Sequence, residues 1–313
     1  MTDAGHRTTS WLALVLVLAA LGLLTACTGG SGGSARGSGP SSGRSSAPPA
    51  ASSPSGSAVS GPAWLVTRSA LAQLIADRSV RQRLASAQVY EILQPGQRLL
   101  SGVQARAVVT FSSAAALVEA VRSGQVPPDA YGVLYDPEAW AFTPAGEQRD
   151  PVAAASQAAQ AAHSKGLKLV VTPALNLTTV LGSGSGSGSG SSPSGPRWQQ
   201  FLELRLIAHL AQVADVVELQ AQSLERDTAT YTSFVRQAAA QARAARAGVT
   251  VLAGLSSNPP GPPVTSQHLA DVIRATRSLV DGYWLNIPGQ GARCPNCSAP
   301  APGVAQQALQ AAI

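Results

Sequence analysis

Cysteine and histidine are scarce in this sequence, three and four residues respectively in a chain of 313. No Cys/His set recurs at ligand spacing, so no metal centre is expected, and nothing in the chain calls for a cofactor. His163, His209 and His268 fall inside or at the start of helical runs, and no Ser/His/Asp arrangement announces an activated nucleophile. No Gly-x-Gly-x-x-Gly follows an early strand, which removes the main signal for dinucleotide binding. The net charge is +6, but the arginines are scattered rather than gathered into a patch, so nucleic acid is not an expected partner. Long apolar runs are also missing. The longest, Trp11 to Leu24, falls short of the about 20 residues that cross a bilayer core.

That short run carries an address. Residues 1–10 contain His6 and Arg7 and few apolar groups, then the apolar stretch follows and ends in Leu24-Thr25-Ala26-Cys27. A charged segment, a short apolar segment and a small-residue cleavage point form an export signal. The last four residues resemble the lipobox of bacterial lipoproteins. The resemblance implies cleavage after Ala26, a diacylglycerol thioether on Cys27, and a protein held by lipid on the extracytoplasmic face of the cell membrane. Two acyl chains anchor stably because each buried CH₂ contributes about 0.8 kcal/mol. Residues 27–63 are nearly all Gly, Ser, Ala and Pro, too poor in apolar groups to offset the entropy of ordering, and read as a tether. The expected organisation is therefore a signal peptide over 1–26, a tether over 27–63 and one domain over 64–313, with a Gly-Ser insertion at 182–196 that is either a mobile lid or a tolerated low-complexity loop.

Past Cys27 only Cys294 and Cys297 remain, in Cys294-Pro295-Asn296-Cys297. Outside the cytoplasm this pair points to a disulfide. A redox dithiol is the alternative, opposed by the Pro-rich stretch that follows and delays any helix.

Within the domain, apolar helical patterns alternate with short β-rich runs. The pattern predicts a helical region over 69–87 and strands over 88–93, 105–111, 131–136, 168–175, 215–222, 250–256 and 281–287. Helices are predicted over 113–123, 151–165, 198–213, 230–247, 266–279 and 304–313. Strands separated by helices of this length build βαβ units and a parallel sheet. At least six such units are present, seven or eight with the N-terminal segments. The fold expected is a (β/α) barrel, short or irregular, with an open doubly wound sheet as the alternative.

Polar residues at successive strand ends favour the barrel, whose chemistry sits at that face. Alternation along 215–222 turns Glu218, Gln220 and Gln222 to one side and Val217, Leu219 and Ala221 to the other. Asp136 and Glu138 share a face at the end of an earlier strand, with Trp140 beyond. Asn176, Asn258, Trp284 and Asn286 close other strands. Acids, amides and indoles converging on one cleft suit a carbohydrate. Glu218 with Asp136 or Glu138 would form the acid pair of glycoside hydrolysis, at about 5–5.5 Å for retention or 6.5–9.5 Å for inversion. Each residue also has a bland role open to it. Asp136-Pro137 can start a turn, Glu147 and Asp150 can solvate and cap the helix that follows them, and Glu218 can pair with an inward arginine such as Arg106. In layout, residues 100–310 resemble the barrels of glycoside hydrolases and their extracytoplasmic relatives. The Asp-Gly-x-x-x-Asp-x-Glu run of the chitinase-like family is absent, so the resemblance assigns no catalytic residue. Three functions follow: a tethered glycosidase-like hydrolase, a non-catalytic glycan-binding or scaffold lipoprotein, and a thiol-redox lipoprotein.

Overall fold

The computed structural model describes residues 61–182, 195–259, 261–291 and 299–312. Eight parallel strands close on themselves in sequence order. They are β1 (Ala63–Thr67), β2 (Val89–Leu93), β3 (Ala105–Phe111), β4 (Gly132–Tyr135), β5 (Lys168–Val171), β6 (Val216–Leu219), β7 (Thr250–Ser256) and β8 (Gly282–Asn286). The seam is closed by β1 against β8, with Leu65 beside Trp284. The barrel was the expected fold; β1 was not among the expected strands. Trp-Leu-Val at its centre is apolar on both sides, as a fully buried parallel strand must be, so no alternation marks it.

Helices fill the crossovers: α1 (Arg68–Leu74), α2 (Arg78–Ala85), α3 (Ala114–Arg122), α4 (Ala145–Arg149), α5 (Pro151–His163), α6 (Thr178–Leu181), α7 (Arg197–Glu203), α8 (Leu206–Ala211), α9 (Thr228–Ala245), α10 (Ser266–Thr276) and α11 (Pro302–Ala312). Side-chain caps fix several starts. Asp77, Ser113, Asp150, Asp227 and Thr265 each accept from a backbone N–H of the first turn, satisfying donors that have no intrahelical partner. Two expected helices are broken. The region 69–87 divides around Asp77, and 198–213 divides at Arg205, which takes a left-handed φ of 50°.

Two apolar layers result. Val89, Val109, Val133, Leu169, Val217, Val251 and Leu285 face outward into the helices. Leu65, Ile92, Val108, Leu134, Val170, Val216, Leu252 and Trp284 fill the barrel. The split matches the period of a strand, and it turns Glu218, two residues after Val216, inward and toward the C-terminal mouth. At the opposite end Asp215 ties the start of β6 to its neighbours. It accepts from Leu169 N at 3.0 Å, His163 Nε2 at 2.7 Å and Lys168 Nζ at 3.1 Å. Burial works against the Asp215 charge, and these contacts nonetheless hold its carboxyl below the usual range.

Among the described residues no helix is long and apolar enough to cross a membrane. Cys27, Cys294, Cys297 and most of the Gly-Ser insertion lie outside the described residues.

Candidate functional site

Glu218 is the most unusual side chain in the barrel. It has no exposed surface, and among the described residues neither carboxyl oxygen has a hydrogen-bond partner. Burial, reinforced by the negative charges of Asp136 and Glu138, pushes its carboxyl well above the usual range. A lone buried carboxylate is costly, so burial here favours the protonated form of Glu218. The alternative of an ion pair with Arg106 does not hold. Arg106 stands over the ring of Tyr131, 4.4 Å from its centroid.

Asp136 follows directly on β4 and is also buried. Its Oδ1 accepts from Thr172 Oγ1 at 2.7 Å and from Gln220 Nε2 at 2.9 Å. Gln220 is itself fixed by donating to the Thr172 carbonyl at 2.7 Å. The residues directly after β4, β5 and β6 thus each supply one member of a network that orients this carboxylate. Glu138, two residues on, is half-exposed and lines a cleft of about 460 Å³ with Asn176, Trp198, Gln220 and Gln222. Asn176 Oδ1 accepts from Ala139 N at 2.9 Å and so braces the Glu138 loop.

The remaining expected residues stand apart from that cleft. Trp140 sits in the loop after β4, its Nε1 donating to Thr143 Oγ1 at 2.9 Å and its ring edge-on to Phe142 at 5.0 Å. Trp284 lies inside the barrel with its ring among apolar side chains, so its indole face is used in packing. Among the described residues its buried Nε1–H has no partner. Asn258 donates from Nδ2 to the Ala299 carbonyl at 3.1 Å, and the Asn286 carbonyl accepts from Ser257 N at 3.0 Å. Both hold the loops after β7 and β8. Glu147 accepts from Ala114 N at 2.7 Å and Ser113 Oγ at 2.9 Å, so it braces the start of α3 rather than the helix that follows it, which Asp150 caps by accepting from Ala153 N at 3.0 Å.

Several residues of the site were not expected from the sequence. Thr172 lies within the predicted strand 168–175 and was not singled out as a site residue, and Trp198 opens a predicted helix. Gly254 faces inward on β7, where a Cβ would come within 2.5 Å of both Glu218 Oε1 and Gln222 Nε2. Only glycine leaves that notch open. Tyr231 anchors it from outside, donating to the Gly254 carbonyl at 2.9 Å. Glu225, buried in the next loop, accepts from Ser256 N at 2.8 Å, and its burial raises its carboxyl well above the usual range.

A larger concavity of about 600 Å³ opens at the other end of the barrel, near the starts of β2 and β3. It gathers no carboxylate, whereas all three acids stand at the C-terminal face, where barrels of this kind do their chemistry. Among the described residues no group of three or more His, Cys, Asp or Glu could hold a metal ion.

Closed parallel strands with polar ends at the C-terminal mouth define the class: this is a TIM barrel. More specific relationships are not found. No protein-family model matches the chain, and no curated protein matches it. Solved structures with a similar layout include a sugar phosphate isomerase/epimerase from Parabacteroides distasonis, at 10% identity and a TM-score of 0.46 over 82% of this chain and 96% of that one. An archaeal fructose 1,6-bisphosphate aldolase aligns at 15% identity and 0.40 over 80% and 91%. The catalytic domain of a family GH18 chitinase from the fern Peteris ryukyuensis aligns at 17% and 0.35 over 67% and 69%. A barrel of this class does not fix an activity, so the choice among activities falls to the site.

Proposed function

We propose that the chain is a glycoside hydrolase working on the extracytoplasmic face of a membrane, with Glu218 as proton donor and Asp136 as the opposing carboxylate. The observation that carries this reading is the contrast between the two acids. Glu218 is pushed toward its protonated form by burial and by its acidic neighbours, whereas Asp136 is oriented by two donors on one oxygen. Glycoside cleavage needs that division of labour. One carboxyl protonates the leaving oxygen, and the other attacks the anomeric carbon or activates the water that does. Glu138, Asn176 and Gln222, with the Trp198 indole, line the adjoining cleft, and their amides, acid and ring suit sugar hydroxyls and C–H faces. The location rests on the sequence alone, through Cys27 and the segment before it.

The test is a panel of oligosaccharides incubated with the wild-type chain, Glu218→Gln and Asp136→Asn, with release of reducing ends as the readout. Hydrolysis is expected from the wild type, with a loss of about two to four orders of magnitude on removing the general acid. Glycan binding with no product from the wild type would favour the non-catalytic binder. Unchanged rates in Glu218→Gln would remove this acid from the mechanism.

A further inference from the structure

A proton donor must meet its substrate, yet Glu218 has no exposed surface and does not border the cleft. What separates the two is identifiable. Gly254 lies on β7 two residues beyond Leu252, the register partner of Glu218. The space that a Cβ on Gly254 would take is occupied from two sides. Glu218 Oε1 comes within 2.5 Å of that point, and Gln222 Nε2 and Cδ come within 2.5 and 2.6 Å. The ends of the two side chains therefore meet in one notch. Gln222 also lines the cleft, so this residue borders both the buried acid and the open space.

We propose that Gln222 is a positioning residue that stands across the passage between Glu218 and the cleft, and that its side chain swings aside when a substrate engages the acid. The inference rests on the reading of Glu218 as the proton donor and adds the regulation of its access. Among the described residues, the Gln222 amide is not tied to the acid it abuts: no hydrogen bond joins it to either Glu218 oxygen. Gln222 is only half-buried and opens a three-residue turn, Gln222–Leu224, whose middle residue is exposed. Side chains of this kind change rotamer rapidly without disturbing a core. The lack of a side chain at Gly254 gives both ends room to move.

Accessibility of the carboxyl tests this without any substrate. The full chain is treated with a carbodiimide and glycine ethyl ester, and labelling at each acid is mapped by peptide mass spectrometry. Glu91 serves as the internal control. It is fully buried on the outer face of β2, where it pairs with Arg68 at 3.0 Å. In the wild type, Glu218 and Glu91 are both expected to label weakly beside half-exposed Glu138. In Gln222→Ala and Gln222→Ser, labelling of Glu218 is expected to rise several-fold while Glu91 stays unchanged. Gln222→Leu, which keeps the bulk, is expected to stay near wild type. Labelling of Glu218 that does not change in the two small-side-chain variants, or that rises only in step with Glu91, overturns the proposal. The hydrolase reading is decided separately, by the rate of Glu218→Gln.

Discussion

Replacing Glu218 by glutamine should make the protein more stable above mildly acidic pH, and the gain should grow as pH rises. The folded state holds this carboxyl well above its ordinary range because burial penalises the charge. The unfolded chain leaves it near the ordinary value of about 4.3. The sign follows from proton binding. Between the unfolded and the folded value, the native state keeps a proton that the unfolded state has released, so raising the pH favours unfolding. Below the unfolded value both states are protonated and Glu218 imposes no penalty. Each pH unit across that window removes about 1.4 kcal/mol, which for a domain of this length corresponds to roughly 3–6 °C in Tm. Glutamine has nearly the same shape and no charge to bury, so the variant lacks this component. Glu225 is shifted the same way but is present in both proteins, and the difference between them isolates Glu218. Thermal unfolding followed by circular dichroism at one-unit steps from pH 4 to pH 8 reads the result directly. The two curves should meet near pH 4 and separate steadily above pH 5. Parallel curves would refute the reasoning, since they would mean that Glu218 titrates alike in both states.

Further perturbations probe neighbouring parts of the structure. Gly254→Ala drives a Cβ against Glu218 Oε1 and Gln222 Nε2. Because both are ends of flexible chains, the stability cost should lie at the low end of overpacking, about 1 kcal/mol, while glycan hydrolysis falls far more; a wild-type rate would show that the notch is not used. Arg205→Gly relieves a left-handed backbone that costs an L-residue about 1–2 kcal/mol, and the side chain is exposed. Allowing for glycine's looser unfolded chain, a net gain of up to about 1 kcal/mol is expected in denaturant titration. Cys27→Ser should abolish incorporation of labelled fatty acid and release the protein from membranes; equal membrane retention of this variant would refute the lipid anchor.

Much of the barrel was readable from the chain. The alternation along 215–222 gave the inward face of Glu218 and Gln220 correctly, because a strand allows only two directions for its side chains. The strand itself is shorter, Val216–Leu219, yet Gln220 still reaches Asp136. Strand β1 escaped notice because burial on both faces removes the polar half of the pattern. The break at Arg205 carries no local sign, since arginine is not a residue that seeks left-handed backbone. The notch at Gly254 depends on the register between β6 and β7, which no single segment encodes. The helix-borne Trp198 reached the cleft through tertiary packing, invisible to periodicity. Conversely, Trp284 was read as a sugar platform from its position at a strand end. Its place inside the barrel uses the indole face for packing, and its N–H is buried as well.

The proton on Glu218 is the point on which the chemistry turns. Uniform ¹³C labelling of glutamate side chains, with the Glu218 carboxyl resonance assigned by its disappearance in Glu218→Gln, reports its protonation directly. A resonance that keeps the chemical shift of a protonated carboxyl at pH 7 is expected. A resonance that titrates in the ordinary carboxylate range and is fully ionised by pH 6 would mean that Glu218 has no proton to give.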